Sequence, residues 1–255
     1  MYKFKSVLLL TLVMLFLSAH AFSGPDDNQQ TITLGGSHNL KNSFYGRWSH
    51  LIYSEAFKRL GYKFVYKGYP TARVGVESKK GTIDGEINRV ASYAEQRAYL
   101  IRVKESHFAT KNLAFANTPG IKVDNWQSLY NTNYKVEYRR GSKLYEKYLT
   151  KFVSAKNLSS ISSSEQGLKR LILGRIDIFV ELDHPAREIL EALDPLLYPK
   201  AHVYQAGVLG SYPSYVYLHT RHKKLAWQLT ATLKKMKQED LIEQYKNGLI
   251  NKSDH

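Results

Sequence analysis

Residues 31–66, TITLGGSHNLKNSFYGRWSHLIYSEAFKRLGYKFVY, hold the pattern on which the fold turns. Thr31 to Leu34 alternates as a strand does and ends at Gly35-Gly36. From Phe44 to Leu60 the apolar residues Phe44, Trp48, Leu51, Ile52, Ala56 and Leu60 recur near the helical period, and Gly61 is a natural stop. Tyr62 to Tyr66 alternates again. Strand, helix and strand in that order make the unit of a parallel α/β sheet.

The same grammar continues outward. A helix is expected over Thr71 to Lys80, closed by Gly81, then a strand at Gly85 to Val90 and another at Lys111 to Ala116. Asn117-Thr118-Pro119-Gly120 reads as a boundary. Beyond it the pattern restarts with a short helix at Trp126 to Leu129, a strand at Tyr134 to Tyr138 and a helix opened by Gly141-Ser142 and running to about Phe152. A Ser-rich loop at 159–164 precedes a helix from Glu165 to Leu173, and Ile176 to Val180 is a buried strand. The chain closes with a strand at Tyr215 to Leu218, an amphipathic helix at Lys224 to Lys237 and a last helix from Glu239 to Tyr245, stopped by Asn247-Gly248. This predicts two α/β lobes, each a central sheet flanked by helices, with the second inserted in the first. The expected division is 31–117 with 206–250 for the first lobe and 118–205 for the second, with crossings near 117–119 and 204–208 and a short tail at 251–255.

The N-terminus bears on compartment. Lys3 and Lys5 precede an apolar run from Val7 to Leu17, and Ser18-Ala19-His20-Ala21 has the small-x-small pattern of a cleavage site. The run is shorter than the roughly 20 residues that span a bilayer. Residues 1–21 are therefore expected to be a cleaved signal peptide and 22–30 a flexible lead, which places the mature, soluble protein in the periplasm. The chain has no cysteine, so it has neither a disulfide framework nor a thiolate metal site. Its formal charge is +15 over 255 residues, little changed by loss of two leader lysines. In an exported protein that charge reads as a solvated basic surface rather than a nucleic-acid face, and an anionic ligand or envelope surface would benefit from its field.

Enzyme signatures are missing. The sequence has no H-E-x-x-H and no G-x-S-x-G, and its nine histidines are scattered. A binding protein without cofactor, rather than an enzyme, is expected.

Four segments carry a resemblance to a known family. VDNWQSLYNTNYKVEYRRGS (123–142) is similar to the family's entry into its second lobe, and LILGRIDIFVE (171–181) to its Gly-Arg-x-Asp strand entry. KGTIDGEI (80–87) resembles the matching Gly-x-x-Asp segment of the first lobe, and PSYVYLHTRHKKLAWQL (213–229) the return to it. In their order and spacing these segments resemble the periplasmic solute-binding proteins of family 3, the amino-acid-binding type with the type II fold. The resemblance implies a cleft that closes on a small polar, carboxylate-bearing ligand by hinge motion. It implies delivery to an ABC importer as a monomer. A sensor feeding a membrane signalling protein and a basic envelope-binding protein are the alternatives.

The resemblance also nominates residues. An arginine after the strand that follows Asp84-Gly85 would fork onto the ligand's carboxylate; Arg89 is the candidate and Arg97, a little further on, the alternative. Arg140, Gly141 and Ser142 form a strand-to-helix turn whose amides suit an anion, with Ser142 also placed as a plain helix cap. The family's acid for the ligand's ammonium falls on Leu182, between Glu181 and Asp183. Phe44, Tyr45 and Tyr69 are candidates for a ring against the ligand. Asp84 and Asp177 read as structural, at the entries of their strands.

Overall fold

A computed structural model describes residues 29–38, 42–198 and 203–253. The signal peptide and most of the lead expected at 22–30 lie outside the described residues. In chain order the elements are β1 (Thr31–Ser37), α1 (Phe44–Arg59), β2 (Lys63–Tyr69), α2 (Thr71–Lys80), β3 (Gly85–Arg89), β4 (Leu100–Arg102) and β5 (Phe108–Ala116). There follow β6 (Val136–Arg139), α3 (Lys143–Phe152), β7 (Leu158–Ile161), α4 (Ser164–Ile172), β8 (Ile178–Leu182) and α5 (Asp183–Ala192). The chain ends with β9 (Tyr204–His219), α6 (Lys223–Gln238) and α7 (Leu241–Ser253).

Two parallel three-stranded units are joined through two antiparallel strands, in the order β2-β1-β3-β9-β5-β8-β6-β7, with β4 also on β9. Each unit starts the same way. Asp84 ahead of β3 exchanges backbone and side-chain bonds with Thr33, and Asp177 ahead of β8 does so with Lys135. Both aspartates serve the fold at a strand entry. The first core packs α1, α6 and α7 on one face of β1 and β3, around Ile32, Leu34, Trp48, Ile52, Phe57, Leu229 and Leu233. The second sheet is covered on both faces: Trp126, Tyr145 and Leu149 lie on one side, and Leu168, Leu171 and Ala186 on the other. That is why Ile178–Val180 is an unbroken apolar run at the start of β8.

Several elements depart from the sequence expectations. The Ser-rich stretch expected as a loop contains β7, because Leu158 and Ile161 pack into the second lobe while Ser159 bonds Glu137 at 2.8 Å. Helix α5 was not expected; Pro185 sits in its first turn, where the missing N–H is harmless. Helix α7 runs through Gly248 to Ser253, since Leu249 and Ile250 still reach the first core. The largest departure is β9, 16 residues long instead of four. Its Gly207 lies against the backbone of Val123, where a Cβ would meet the carbonyl oxygen at 2.1 Å. Its glycines and Pro213 disguised a strand that pairs with β5 from Ser214 to Tyr204. On β9 the partner changes from β3 to β5 near residue 214, while β5 pairs with β8 from Asn112 to Ala116.

Candidate functional site

In each parallel unit the chain runs from the central strand to one neighbour and then crosses to the other, so the C-terminal ends of the first and third strands form a topological switch point, where open α/β sheets place their crevice. In the first lobe the crevice lies between the ends of β1 and β3, at Ser37 and Arg89; in the second it lies between β6 and β8, at Arg139 and Leu182.

Arg89 is reached through a distortion. Asn88 has φ +57 and the β3–β9 register shifts between Glu86 and Arg89. The left-handed turn is held by Asn88 itself: its amide bonds Ser49 Oγ at 3.1 Å and its carbonyl oxygen lies 2.5 Å from His107 Nε2. His107 Nδ1 in turn lies 2.7 Å from the Tyr53 hydroxyl. The relay thus connects the turn at the end of β3 to the segment entering β5. Burial holds the His107 imidazolium pKa down at about 3, so the ring is neutral. Past this turn, Arg89 Nε donates to Glu86 Oε2 at 2.9 Å, and Glu86 is wholly buried. Glu86, left without an assignment by the sequence, thus orients the guanidinium. Nη2 of Arg89 is equally near Oε2 but misaligned, and it makes no hydrogen bond.

Arg89 and Arg97 share one partner. Their guanidinium carbons lie 4.6 and 4.0 Å from the centre of the Tyr93 ring, and Arg97 Nη1 also donates to the Tyr93 carbonyl at 2.7 Å. Burial, opposed by the Arg89 charge, pushes the Tyr93 hydroxyl up to about 12. Tyr69 closes β2 on the same edge and is half-buried.

In the second lobe the register moves one residue from the expectation. Arg140 is exposed and bonds Ser160 through Nε at 3.3 Å. Arg139 instead faces Glu181, with Nε 3.3 Å from Oε2. Glu181 is only 2% exposed; it also accepts from the Ser164 hydroxyl and from the Leu182 amide at 2.8 Å. It is therefore occupied in holding Arg139 and is not an open acceptor for a ligand. Gly141 has φ +90, a conformation that glycine adopts without strain. Ser142 caps α3 by accepting from the Tyr145 amide at 3.4 Å.

The remaining candidates join the lobes. Phe44 stacks on His184 at 3.8 Å, the Tyr45 hydroxyl donates to Asp183 at 2.5 Å, and Glu188 accepts from the Phe44 amide and pairs with Arg47. Phe44 and Tyr45 are buried where they hold α1 to α5. Burial, followed by the bond to Asp183, drives the Tyr45 hydroxyl far above its usual value. The Tyr145 hydroxyl is raised chiefly by burial, and it also senses Glu181, Arg139, Tyr45 and Asp183. The second-lobe arginine and the α1–α5 junction therefore share one neighbourhood.

Sequence reading missed Arg139, Ser164, His184 and the Asn88–His107 relay. Arg139 had a signal: Val136 and Tyr138 point to one core, so Glu137 and Arg139 share the opposite face. The relay had none, since its members lie far apart in the chain.

No protein-family model matches the chain. An uncharacterized protein of Shewanella oneidensis is 38% identical over 219 residues, covering 86% of this chain and 82% of the other. A histidine kinase sensor domain with similarity to periplasmic binding proteins aligns with a TM-score of 0.69 at 15% identity, over 88% of this chain and 97% of its own. The amino acid ABC transporter substrate-binding protein AbpA of Streptococcus pneumoniae, bound to L-arginine, aligns with a TM-score of 0.66 at 12% identity, over 87% and 94%. At such identities the structural likeness speaks for the fold. The chain belongs to one family with the Shewanella oneidensis protein, and its fold is that of the type II periplasmic binding proteins, with amino-acid-binding proteins of solute-binding family 3 among its structural neighbours.

Proposed function

We propose that the protein binds a small carboxylate-bearing solute reversibly between its lobes, in the periplasm, after removal of the leader at 1–21. The observation that carries this is the placement of one arginine at each switch-point crevice, Arg89 in the first lobe and Arg139 in the second, each oriented by a buried glutamate. A ligand gripped by both lobes binds better when they are closed, which is the thermodynamic condition for ligand-driven closure. The Gly141-Ser142 helix start adds amide donors on the same edge. Delivery of the bound solute to an ABC importer is the first reading of its role. A sensor role is the second, favoured by the likeness to a histidine kinase sensor domain.

Isothermal titration of the mature protein against amino acids and small carboxylates tests the binding. Co-purification with permease subunits supports the importer reading, and co-purification with a membrane signalling protein the sensor reading. N-terminal sequencing of the exported protein should begin near Phe22; a start at Met1 would remove the basis for periplasmic placement.

A further inference from the structure

The first lobe has a face that the cleft does not use. Helix α6 buries Leu225, Ala226, Leu229, Leu233 and Met236 in the first core, so its other side is turned to solvent. No Asp or Glu occurs in its 16 residues. Trp227 lies on that outer side and is 58% exposed, whereas Trp48 and Trp126 are buried at 3% and 4%. Lys223 and Lys224, one turn earlier, are exposed on the same side. The Lys104 ammonium lies 4.7 Å from the centre of the Trp227 ring. The Lys104 amide donates to Thr230 Oγ1 at 3.1 Å, which ties the segment before β5 to α6. Arg221, just ahead of α6, donates to the Gly81 carbonyl at 2.8 Å, so the end of α2 with exposed Lys79 and Lys80 adjoins the same face.

The carboxylates nearby are already paired: Asp84 with Arg221 and His222, Glu77 with Arg73, and Glu105 with Lys237. Among the described residues, none of Lys79, Lys80, Lys104, Lys223 and Lys224 has an ion-pair partner. Topology places this face away from the cleft. Gly85, the first residue of β3, pairs with Leu218 near the end of β9, and α6 starts a short turn later. The crevice lies at the other end of β3, at Arg89. A surface resting on Trp227 therefore leaves the crevice free.

Unmatched cations call for an anionic occupant. Lysine is a strongly hydrated point charge with no preferred docking direction, and it is depleted from protein–protein interfaces. The Arg221 fork, which could read a partner's carboxylate, is spent on Gly81, Ile83 and Asp84. A dense layer of headgroup phosphates needs no fixed geometry, and indole rings settle at headgroup level. We infer that this face rests reversibly on an anionic lipid bilayer, with Trp227 at headgroup level and the surrounding lysines against the phosphates. The site is separate from the cleft and stands or falls independently of what the cleft binds.

The test is co-sedimentation of the mature protein with vesicles of phosphatidylglycerol and phosphatidylethanolamine, compared with vesicles of phosphatidylcholine and phosphatidylethanolamine. The protein should pellet with the anionic vesicles at low salt, stay in solution with the zwitterionic ones, and be released by high salt. Each lysine near such a surface contributes about five-fold in affinity, so Lys223→Gln with Lys224→Gln should weaken binding at least about 10-fold. Tryptophan emission should move to shorter wavelength on binding, and Trp227→Phe should abolish that shift. Lys147→Gln with Lys151→Gln removes the same charge from exposed positions on α3 and should leave binding unchanged. All these side chains but Trp227 are fully charged surface groups, and circular dichroism checks that the variants keep the fold. Absence of binding to the anionic vesicles, equal binding to both kinds, or an equal loss with the α3 pair overturns the inference. Binding to soluble polyglutamate that exceeds binding to the vesicles at equal charge, and is lost with the α6 pair, overturns it in favour of an acidic protein partner.

Discussion

At the residue scale, the site consists of charges that depend on one another. Arg89→Ala removes the proposed clamp but also strands Glu86 in the core, and breaking a buried pair costs about 3–5 kcal/mol. Chemical denaturation should show that loss. The double variant Glu86→Gln with Arg89→Met should recover part of the stability and still not bind ligand, which separates clamp from scaffold. His107 gives a pH signature. Its folded pKa, about 3, lies below the ordinary histidine value of 6.5, so the unfolded chain binds the extra proton between them. The contribution is fully present above pH 6.5 and is lost as pH falls towards 3. Urea midpoints should fall over this range, and His107→Gln should flatten the fall; an unchanged slope would mean that other groups control it. The sequence exposed Arg89 because a polar strand end is visible as a pattern, and the family resemblance added Arg97. It could not expose Glu86 as the partner, since that depends on the turn at Asn88.

At the element scale, the parallel units were legible because their helices and strands carry clear periods and glycine stops. Thr71–Lys80 is the helix that the sequence predicts, residue for residue. The antiparallel strands joining the lobes were not, because β9 combines glycines, a proline and shifts of register against β5. Those irregularities have a function in packing. Gly207→Ala should destabilise the fold by about 1–3 kcal/mol, because its Cβ would enter the Val123 backbone. Thermal denaturation checks this, and an unchanged melting temperature would show that the 120–124 segment yields. Helix α7 is a similar case. Gly248 looks like a stop, but Leu249 and Ile250 gain more from the first core than the glycine costs, about 1 kcal/mol.

At the scale of the whole molecule, the lobes meet along α1 and α5 through the Phe44–His184 stack and the Tyr45–Asp183 bond. Ligand binding should shift the population towards the form in which this junction is made. Small-angle scattering should show a smaller radius of gyration with a bound ligand, and identical profiles would count against closure. Tyr45→Phe removes one bond across the junction and should weaken affinity by several-fold, because closure then starts from a more open population. The sequence by itself determined the two-lobed α/β plan, since hydrophobic period and turn residues are local properties of the chain. Only the tertiary structure decided which polar residues are spent on each other. Phe44, Tyr45, Glu181 and Asp183 look alike as candidates in sequence, but their partners lie across the fold, and burial in a low-dielectric interior pairs them there.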